Sequence, residues 1–436
     1  MAKRSKEQIE RDEKIFQIST LVAGDFELKE VLDRLAEAAV KFTNTTACSI
    51  RLIDQAADDM KMRSTYGLSD KYRSKGPVSR KDPVINESLT KNKAVIIDDM
   101  SKDARVKYPQ ASLDEGLISQ MTVPMEFRGK PIGVVRLYSP KPAYFDEETR
   151  AIARLVATQC ATAITNARLY NQAVEGARMA EQMRLGGVIQ RRMIPDKLPN
   201  IHGLDIGAVY RPCFEIGGDL YDFFDIDENT IGICIADVIG KGIPAAMMMS
   251  MFRATIRAFA GGGYSRHTLE EVISHLNRTT VNECRDGEFI TMFFASIDVK
   301  KMQMRYCNCG HEPALHIRNG KITELDKGGL VLGIMNETEH EVGIVDLLDE
   351  DIILMYTDGL IDSVNFNGEM WGRDRMLKAI DQCPSCCAEN LIKNLLGFRR
   401  RFVGLAPQTD DTSVVAVKMD SSANPHGQNV TVDEEK

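Results

Sequence analysis

Four short acidic segments in the second half of the chain restrict its fold more than any other feature. Each lies at the end of a predicted strand, and the four are Glu215-Ile-Gly-Gly-Asp219, Ile235-Ala-Asp237-Val-Ile-Gly-Lys-Gly242, Tyr356-Thr-Asp358-Gly and Thr409-Asp410-Asp411-Thr412. Carboxylates gathered at one place repel each other unless a cation lies among them. The segments therefore predict a metal site where several strands end, and a metal site of this kind indicates hydrolytic chemistry.

Two of these segments share the same layout. Side chains alternate between the two faces of a strand, so Asp237 continues the apolar face of strand 231–237, and Asp358 continues that of strand 352–358. A single aspartate at a strand end is more often a turn-forming or helix-capping residue. Two strands with one layout, together with two further acidic segments, favour a shared site.

The chemistry of the donors restricts the metal. Carboxylate and carbonyl oxygens without histidine or cysteine favour hard cations, which here means Mg²⁺ or Mn²⁺. Two such ions roughly 3.5–4 Å apart can share a water molecule, lower its pKa and hold a phosphoryl group for in-line attack. The sequence has neither the Gly-x-x-x-x-Gly-Lys-Ser/Thr loop of nucleotide phosphoryl transfer nor the Gly-x-Ser-x-Gly elbow of serine hydrolases.

Length and composition set the broad class. A chain of 436 residues indicates two or three domains, and its net charge of −8 argues against a general nucleic-acid partner. The charged start and the interrupted apolar runs predict no signal peptide and no membrane span, hence a cytoplasmic protein. Its ten cysteines are therefore predicted to be reduced thiols. The pair at Cys383 and Cys386 lacks the second pair that a zinc site needs.

The first half is predicted to contain a helical lead at 1–22 and a small α+β domain at 23–170. Apolar residues recur at helical spacing after Asp25, and alternating strands then predict an antiparallel sheet. The segment Val123–Tyr138 resembles the last hairpin of GAF domains. This resemblance implies a sensor that binds a small-molecule ligand, or that dimerises and relays signals.

Four residues of this domain are candidates for a ligand pocket: Cys48, Tyr66, Asp98 and Arg136. A role in the core or on the surface is the alternative for each of them.

A helical connector is predicted for 171–198, at the end of a helical pattern that begins near Asp146. Small and apolar residues from Cys160 to Ala177 recur at alternating three- and four-residue spacing, which predicts a coiled-coil seam and a homodimer. The alternative is an amphipathic helix packed on its own domain. Gly176 and the pair Gly186-Gly187 are predicted to bend or break the helix.

The second half, 199–418, is predicted to alternate strands with helices at 243–260, 268–284, 373–382 and 387–402. The polar, acidic tail at 419–436 is predicted to be disordered. Five motifs occur here in the order found in metal-dependent (PPM-type) serine/threonine phosphatases of the SpoIIE/RsbU branch, which this half therefore resembles. They are Ile216-Gly-Gly-Asp219-Leu-Tyr-Asp222, Ala236-Asp237-Val-Ile-Gly-Lys-Gly242, Cys309-Gly-His311-Glu-Pro313, Tyr356-Thr-Asp358-Gly and Thr409-Asp410-Asp411-Thr412.

The resemblance implies a fold class and a ligand set. The whole chain is expected to be α+β, with an N-terminal GAF domain, a long helical connector and a C-terminal α/β/β/α phosphatase sandwich. Asp219 and Asp237 are implied as shared ligands of two Mn²⁺ or Mg²⁺ ions, with the backbone carbonyl of Val238 on one ion. Asp358 and Asp410 are implied on the other ion.

Three assignments stay open at this point. Asp411 is the alternative to Asp410, because the sequence does not decide which carboxylate points inward. The resemblance implies a metal-bound water as nucleophile, and His311 either positions substrate or acts as a general acid, or is a structural loop residue. The methionine-rich helix at 243–260 is either core filling or a regulatory switch beside the metals.

The function predicted is a phosphoserine/phosphothreonine protein phosphatase regulated by a GAF sensor. Its implied substrate is a phosphorylated protein of the anti-anti-sigma type in bacterial signalling. The first alternative is a GAF-based sensor or scaffold whose phosphatase-like half binds a partner without turnover. The second alternative is hydrolysis of a small phosphorylated molecule.

Overall fold

The computed structural model describes residues 13, 15–22, 27–54, 59–260, 268–285, 287–383 and 386–421. The chain divides into two compact units, Met1–Arg178 and Met179–Lys436. Asp25 and most of the predicted disordered tail lie outside the described residues. Among the residues described, no helix combines the length and apolarity that a membrane crossing requires.

The first unit is an antiparallel sheet with helices on both faces. Its strands are β1 (Ala47–Asp54), β2 (Asp59–Tyr66), β3 (Val95–Ile97), β4 (Ser119–Phe127) and β5 (Lys130–Ser139), in the sheet order β2-β1-β5-β4-β3. Its helices before the connector are α1 (Leu28–Thr43), α2 (Asp70–Arg73), α3 (Pro83–Lys91) and α4 (Pro109–Asp114). The predicted hairpin is present, and a two-residue turn with positive φ at Arg128 and Gly129 joins β4 to β5.

One face of this sheet forms the main core of the first unit. Apolar residues of β1, β4 and β5 pack there against α1, against Ile18 of the helical segment 15–20, and against residues 152–164. The alternation of side chains places the remaining residues of these strands on the opposite face, beside α2, α3 and α4. That opposite face carries buried polar and charged side chains.

Helix α5 runs without interruption from Glu147 to Arg191, so the predicted breaks at its glycines are wrong. The predicted seam is also wrong in its first part, because Cys160 and Ala163 are buried in the core of the first unit. From 168 to 185 every side chain of the helix is exposed in the single chain. The sequence pattern therefore combines a core-facing segment with an exposed one.

The second unit is a sandwich of two sheets. One sheet contains β7 (Leu220–Asp227), β8 (Thr230–Val238), β9 (Ile290–Asp298), β10 (Gln303–Cys309), β13 (Gly328–Gly329) and β14 (Gly343–Asp346). The other contains β6 (Leu204–Arg211), β11 (Ala314–Arg318), β12 (Lys321–Leu325), β15 (Ile352–Tyr356) and β16 (Thr412–Met419). Its helices are α6 (Ile243–Ala260), α7 (Leu269–Glu283), α8 (Gly372–Asp381) and α9 (Ala388–Val403).

Two cores hold the layers together. The larger joins the facing sides of both sheets and continues to α6 and α7, and the smaller lies between the second sheet and α8 and α9. The order of layers is thus α/β/β/α, which confirms the predicted fold class. The strands β7, β11, β12, β13 and β14 were not predicted, because their sequences lack a clear apolar alternation.

One prediction about the cysteines is corrected. Cys383 and Cys386 form a disulfide, with their Cα atoms 5.6 Å apart, whereas reduced thiols were expected throughout. This Cα–Cα distance falls within the range that a disulfide requires.

Candidate metal centre

The four acidic segments meet at one end of the sandwich. Asp219 immediately precedes β7, and Asp237 is the penultimate residue of β8 in the same sheet. Asp358 follows β15 and opens a short 3₁₀ helix, Asp358–Leu360, while Asp410 and Asp411 precede β16 in the second sheet. Hydrogen bonds between these segments, described below, show that both sheets contribute to one site.

Asp219 is the carboxylate held most firmly. Its side chain is 1% exposed, and its Oδ2 accepts hydrogen bonds from Thr357 Oγ1 at 2.7 Å and Ser413 Oγ at 2.9 Å. Both hydroxyls come from the opposite sheet. A buried carboxylate requires such donors, so the two sheets together position Asp219.

The two neighbouring aspartates at 410 and 411 differ in their surroundings. Asp411 points inward: it is buried, its Oδ1 accepts from Cys213 N and its Oδ2 from Gly218 N, both at 2.7 Å. Asp410 is partly exposed and forms an ion pair with Lys241 Nζ at 2.8 Å. Asp411 thus accepts hydrogen bonds from backbone amides, whereas Asp410 is paired with the ammonium group of Lys241.

The acidic residues raise one another's pKa values. Burial and then the charge of Asp237 raise the pKa of Asp219. Burial, followed by the charges of Asp358 and Asp410, raises the pKa of Asp237 to about 7. Burial and then Asp410 raise the pKa of Asp358 to about 6. These carboxylates are close enough to repel each other, which is the electrostatic condition that a cation relieves.

The donor set fits a hard divalent ion in its chemistry. It consists of carboxylate oxygens, and the carbonyl of Val238 is close by, since a Cβ on Gly218 would lie 2.9 Å from that oxygen. Across the described ranges, however, no three or more histidine, cysteine, aspartate or glutamate side chains are arranged so that they could hold a metal ion as they stand. Ligation by Asp219, Asp237, Val238, Asp358 and Asp410, or Asp411, therefore stays a prediction.

The raised pKa values predict a pH effect on stability without metal. Because the folded pKa of Asp237 is about 7, the folded chain retains protons that the unfolded chain has already lost, and the contribution of this residue to stability falls as pH rises from about 4 to about 7. In EDTA, the difference in Tm between Asp237→Asn and the unchanged chain should grow from pH 5 to pH 8 in favour of the variant. Mn²⁺ should raise the Tm of the unchanged chain most at pH 8. A difference that stays constant with pH would contradict the mutual repulsion.

His311 is held in place through its backbone and one ring nitrogen. Its ring is buried, Nδ1 lies 2.8 Å from Thr291 Oγ1, and its backbone N–H and carbonyl are both bonded to the Asn308 side chain. Desolvation lowers the pKa of His311 to about 4, so the imidazole is mostly neutral at pH 7, and its buried Nε2 has no hydrogen-bond partner within the described residues. Thr291 also contacts the carbonyl of Asp237 at 3.4 Å, so His311 supports β8 indirectly.

The sequence did not identify two residues that position Asp219. Thr357 and Ser413 lie beside predicted ligands in the motifs, but nothing in the sequence shows that their hydroxyls point to Asp219. Thr357 Oγ1 also accepts from Ser413 N at 2.9 Å, so this hydroxyl both donates and accepts.

Thr357→Val should weaken the site while keeping its shape. The substitution removes a donor to Asp219 and leaves Ser413 N without its acceptor, and loss of such a supporting contact typically costs about 10–100-fold in metal affinity or activity. The measurement is phosphate release as a function of Mn²⁺ concentration. The control is Thr162→Val on the exposed side of α5, which should leave the Mn²⁺ dependence unchanged. An unaltered Mn²⁺ dependence in Thr357→Val would contradict its positioning role.

The end of α5 touches the loop that precedes Asp219. The buried amide of Gln190 donates from Nε2 to Gly217 O at 2.7 Å and accepts from Gly217 N at 3.0 Å. One turn earlier, Gly187 has no room for a side chain, because a Cβ there would collide with the carbonyl of Glu215. These contacts, all within the second unit, tie the helix to the backbone two residues before Asp219.

Comparison with protein families divides the chain in the same way. Residues 27–165 match the family model described as GAF domain, and residues 227–420 match that described as Stage II sporulation protein E (SpoIIE). The second match includes all the predicted site residues except Asp219.

Individual proteins agree with these matches. The phosphoserine phosphatase RsbU of Bacillus subtilis is 32% identical over 216 residues, which cover 49% of this chain and 63% of that protein. The phosphoserine phosphatase RsbP of Bacillus subtilis is 28% identical over 183 residues, covering 42% and 45%. The SiaA-PP2C domain of Pseudomonas aeruginosa is similar in fold, with a TM-score of 0.50, 18% identity and coverage of 57% of this chain and 100% of that one. The chain thus spans less than two thirds of the length of either curated relative.

These matches and the two-layer sandwich define the class: the chain carries a GAF domain followed by a SpoIIE-type PP2C phosphatase domain. It is homologous to the phosphoserine phosphatase RsbU. Both resemblances inferred from the sequence are confirmed. Phosphatases of this class use divalent metal ions.

Proposed function

We propose that the protein is a metal-dependent phosphoserine/phosphothreonine protein phosphatase that its GAF domain regulates. The observation that carries this proposal is the convergence of Asp219, Asp237, Asp358 and Asp410 from both sheets, where burial and mutual repulsion raise the pKa values of the first three. Divalent cations bound in this acidic cluster would relieve the repulsion between its carboxylates. Two Mn²⁺ or Mg²⁺ ions are the proposed cofactors.

Each residue then has a defined task. Bound divalent ions would supply Lewis-acid charge for a phosphoryl oxygen and lower the pKa of a water molecule. Asp219 and Asp237 would hold both ions, with Thr357 and Ser413 fixing the orientation of Asp219. Asp358 and Asp410 would complete the second ion once Lys241 releases Asp410, and Asp411 would keep the loop at Gly218 in place. His311 would stay mostly neutral at pH 7.

The proposed substrate is a phosphorylated protein of the anti-anti-sigma type, and the proposed location is the cytoplasm. The support is homology to RsbU, whose name describes a phosphoserine phosphatase. The test is release of phosphate from a phosphoserine protein and, separately, from small phosphate esters at equal concentration, with and without Mn²⁺. Release from the protein alone supports the proposal, whereas preferred release from the small esters would favour the small-molecule hydrolase. Binding of the phosphoprotein with no turnover would favour the scaffold.

Regulation is proposed to pass through α5. This helix is continuous from the GAF domain to Gln190, whose amide holds Gly217 beside the site. Helix α6 is the proposed switch element next to it. Its Arg253 and Arg257 both form ion pairs with the buried Asp222 of β7. A shift of α5 would therefore alter the backbone that presents Asp219.

We further propose that the exposed segment of α5 pairs with a second copy of this chain. Large apolar side chains stand out from it along 168–185, including Leu169 (56% exposed), Tyr170 (70%) and Val174 (49%). A helix that exposes such residues is stabilised by burying them against a partner. Sedimentation of the full chain as a monomer at micromolar concentration would contradict this.

A further inference from the structure

The sheet face of the GAF domain opposite its main core contains two buried arginines. Ser49 of β1 pairs directly with Arg136 of β5, and Arg51 lies two residues further along β1, so both arginines project from the same face. Arg136 is 8% exposed and Arg51 is 7% exposed. A sheet in a GAF domain does not need these cations for its core, which lies on the other face.

These arginines are incompletely paired. Arg51 donates from Nη1 to the carbonyl of Met60 at 3.2 Å. Among the residues that the structure describes, the buried Nε atoms of both arginines have no hydrogen-bond partner, and Arg136 has no carboxylate partner. A buried cation without a counter-ion is costly, and an unpaired buried polar group calls for an explanation such as an absent ligand.

A cavity lies directly over Arg136. Lys75, Tyr72, Tyr108 and Gln120 line it together with Arg136, and its volume is about 30 Å³. The ammonium group of Lys75 lies 3.2 Å from the centre of the Tyr72 ring. The cavity has room for a compact polar group.

The remaining charges at this cavity largely cancel. Asp82 pairs with Lys107 at 3.1 Å. Arg105 pairs with Asp103 at 2.7 Å and with Glu87 at 2.9 Å. Lys75 and Arg136 are left without a carboxylate partner in the described part of the chain. Desolvation, with a smaller contribution from Arg136 and Arg51, lowers the pKa of Lys75 to about 6.

We propose that this cavity binds a compact oxyanion, the carboxylate or phosphate group of a small molecule, between Arg136 and Lys75. The guanidinium of Arg136 offers a planar pair of donors that matches two oxygens of such a group, and the side-chain nitrogen of Lys75 supplies a further N–H donor. The anion supplies the countercharge that Arg136 and Arg51 lack. The proposal names the chemical class of the ligand of the GAF domain. Its biological role, but not the binding itself, rests on the proposed regulation of the phosphatase.

Calorimetric titration of the full chain with inorganic phosphate and with acetate tests the proposal. EDTA is present throughout, so that the acidic cluster in the phosphatase domain holds no metal and repels anions. At least one of the two anions should bind saturably at one site per chain. Arg136→Met and Lys75→Met should each weaken binding by about 10–100-fold, the worth of a hydrogen bond to a charged group. Arg63→Met, which removes an exposed arginine from β2, should bind as the unchanged chain does.

Thermal unfolding separates a ligand site from a structural arginine. Without anion, Arg136→Met should unfold at a higher temperature than the unchanged chain, because a buried cation lacking a partner is removed. Added anion should raise the Tm of the unchanged chain but not that of the variant. Binding of phosphate alone would indicate a phosphorylated ligand, and binding of acetate alone an organic acid.

Three results would overturn the proposal. They are no binding of either anion, binding that Arg136→Met and Lys75→Met leave unaltered, or a lower Tm in Arg136→Met without anion. None of these measurements uses phosphatase activity. Failure of the proposed catalysis would therefore leave anion binding intact, and the reverse also holds.

Discussion

Asp237→Asn should reduce Mn²⁺-dependent release of phosphate from a phosphoserine protein by about a thousandfold or more in kcat/KM, which corresponds to roughly 4 kcal/mol of lost transition-state stabilisation. Asp237 is the residue whose pKa responds to Asp358, Asp410 and Asp411 together. The amide keeps the size of the side chain and removes its charge. A cluster without this charge would hold divalent ions poorly, and every later step depends on them.

The matched control is Asp381→Asn, which removes an exposed carboxylate at the end of α8. It should retain full activity. Both variants should be compared by circular dichroism, and Asp237→Asn should fold at least as well as the unchanged chain in EDTA, because a source of repulsion is gone. Activity of Asp237→Asn within a few fold of the unchanged chain would contradict the assignment of this residue as a metal ligand.

Gly187→Ala should disable the enzyme although it improves the local helix. Alanine is favoured over glycine in a helix by up to about 1 kcal/mol, yet its Cβ would collide with the backbone carbonyl of Glu215. Backbone yields less readily than the end of a side chain, so α5 and the loop before Asp219 must separate. Displacement of a catalytic residue by about 1 Å can cost about a hundredfold in rate, and we expect a loss of that order in kcat.

The neighbouring glycine provides the control. At Gly186 an added Cβ would meet only the Cγ2 atom of Ile216 at 3.7 Å, which is an ordinary contact. Gly186→Ala should therefore stabilise the protein slightly and leave kcat close to its original value. If the two variants behaved alike, the contact between α5 and the loop at 215–218 would have no role in activity.

These two glycines show why the predicted helix break is wrong. Helix propensity alone suggested a break, because it measures the helix in isolation. The structure keeps the helix intact, and at Gly187 it uses the missing side chain for the close approach to Glu215. Such a tertiary reason cannot be detected from local sequence.

The acidic segments could be identified from the sequence because their residue types and their order along the chain form a specific pattern. The motifs around Asp237 and Asp358 combine an apolar strand, a terminal carboxylate and a glycine, and few arrangements produce that pattern. The partners of these carboxylates were not recognisable. Whether a hydroxyl at 357 or 413 points to Asp219, or whether Lys241 holds Asp410, depends on the register of strands from two sheets.

The coiled-coil prediction is wrong only in its first part. Small residues at three- and four-residue spacing suit a helix seam and a helix packed on a sheet equally well, and Cys160 and Ala163 adopt the second arrangement. The candidate pocket residues of the GAF domain could not be told apart from the sequence either. Of the four candidate pocket residues, Arg136 lines a cavity, whereas Cys48 lies in the core and Tyr66 and Asp98 are exposed.

The pairing of β6 with β16 has a consequence for synthesis on the ribosome. The first strand of the phosphatase domain lies beside its last strand, with Leu204 opposite Met419. A nascent chain must therefore keep β6 without this partner until more than two hundred further residues have emerged. Asp219 likewise waits for Ser413. The surroundings of Asp219 are thus complete only after the whole domain has been translated, and during that interval the unpaired strand needs protection from other chains.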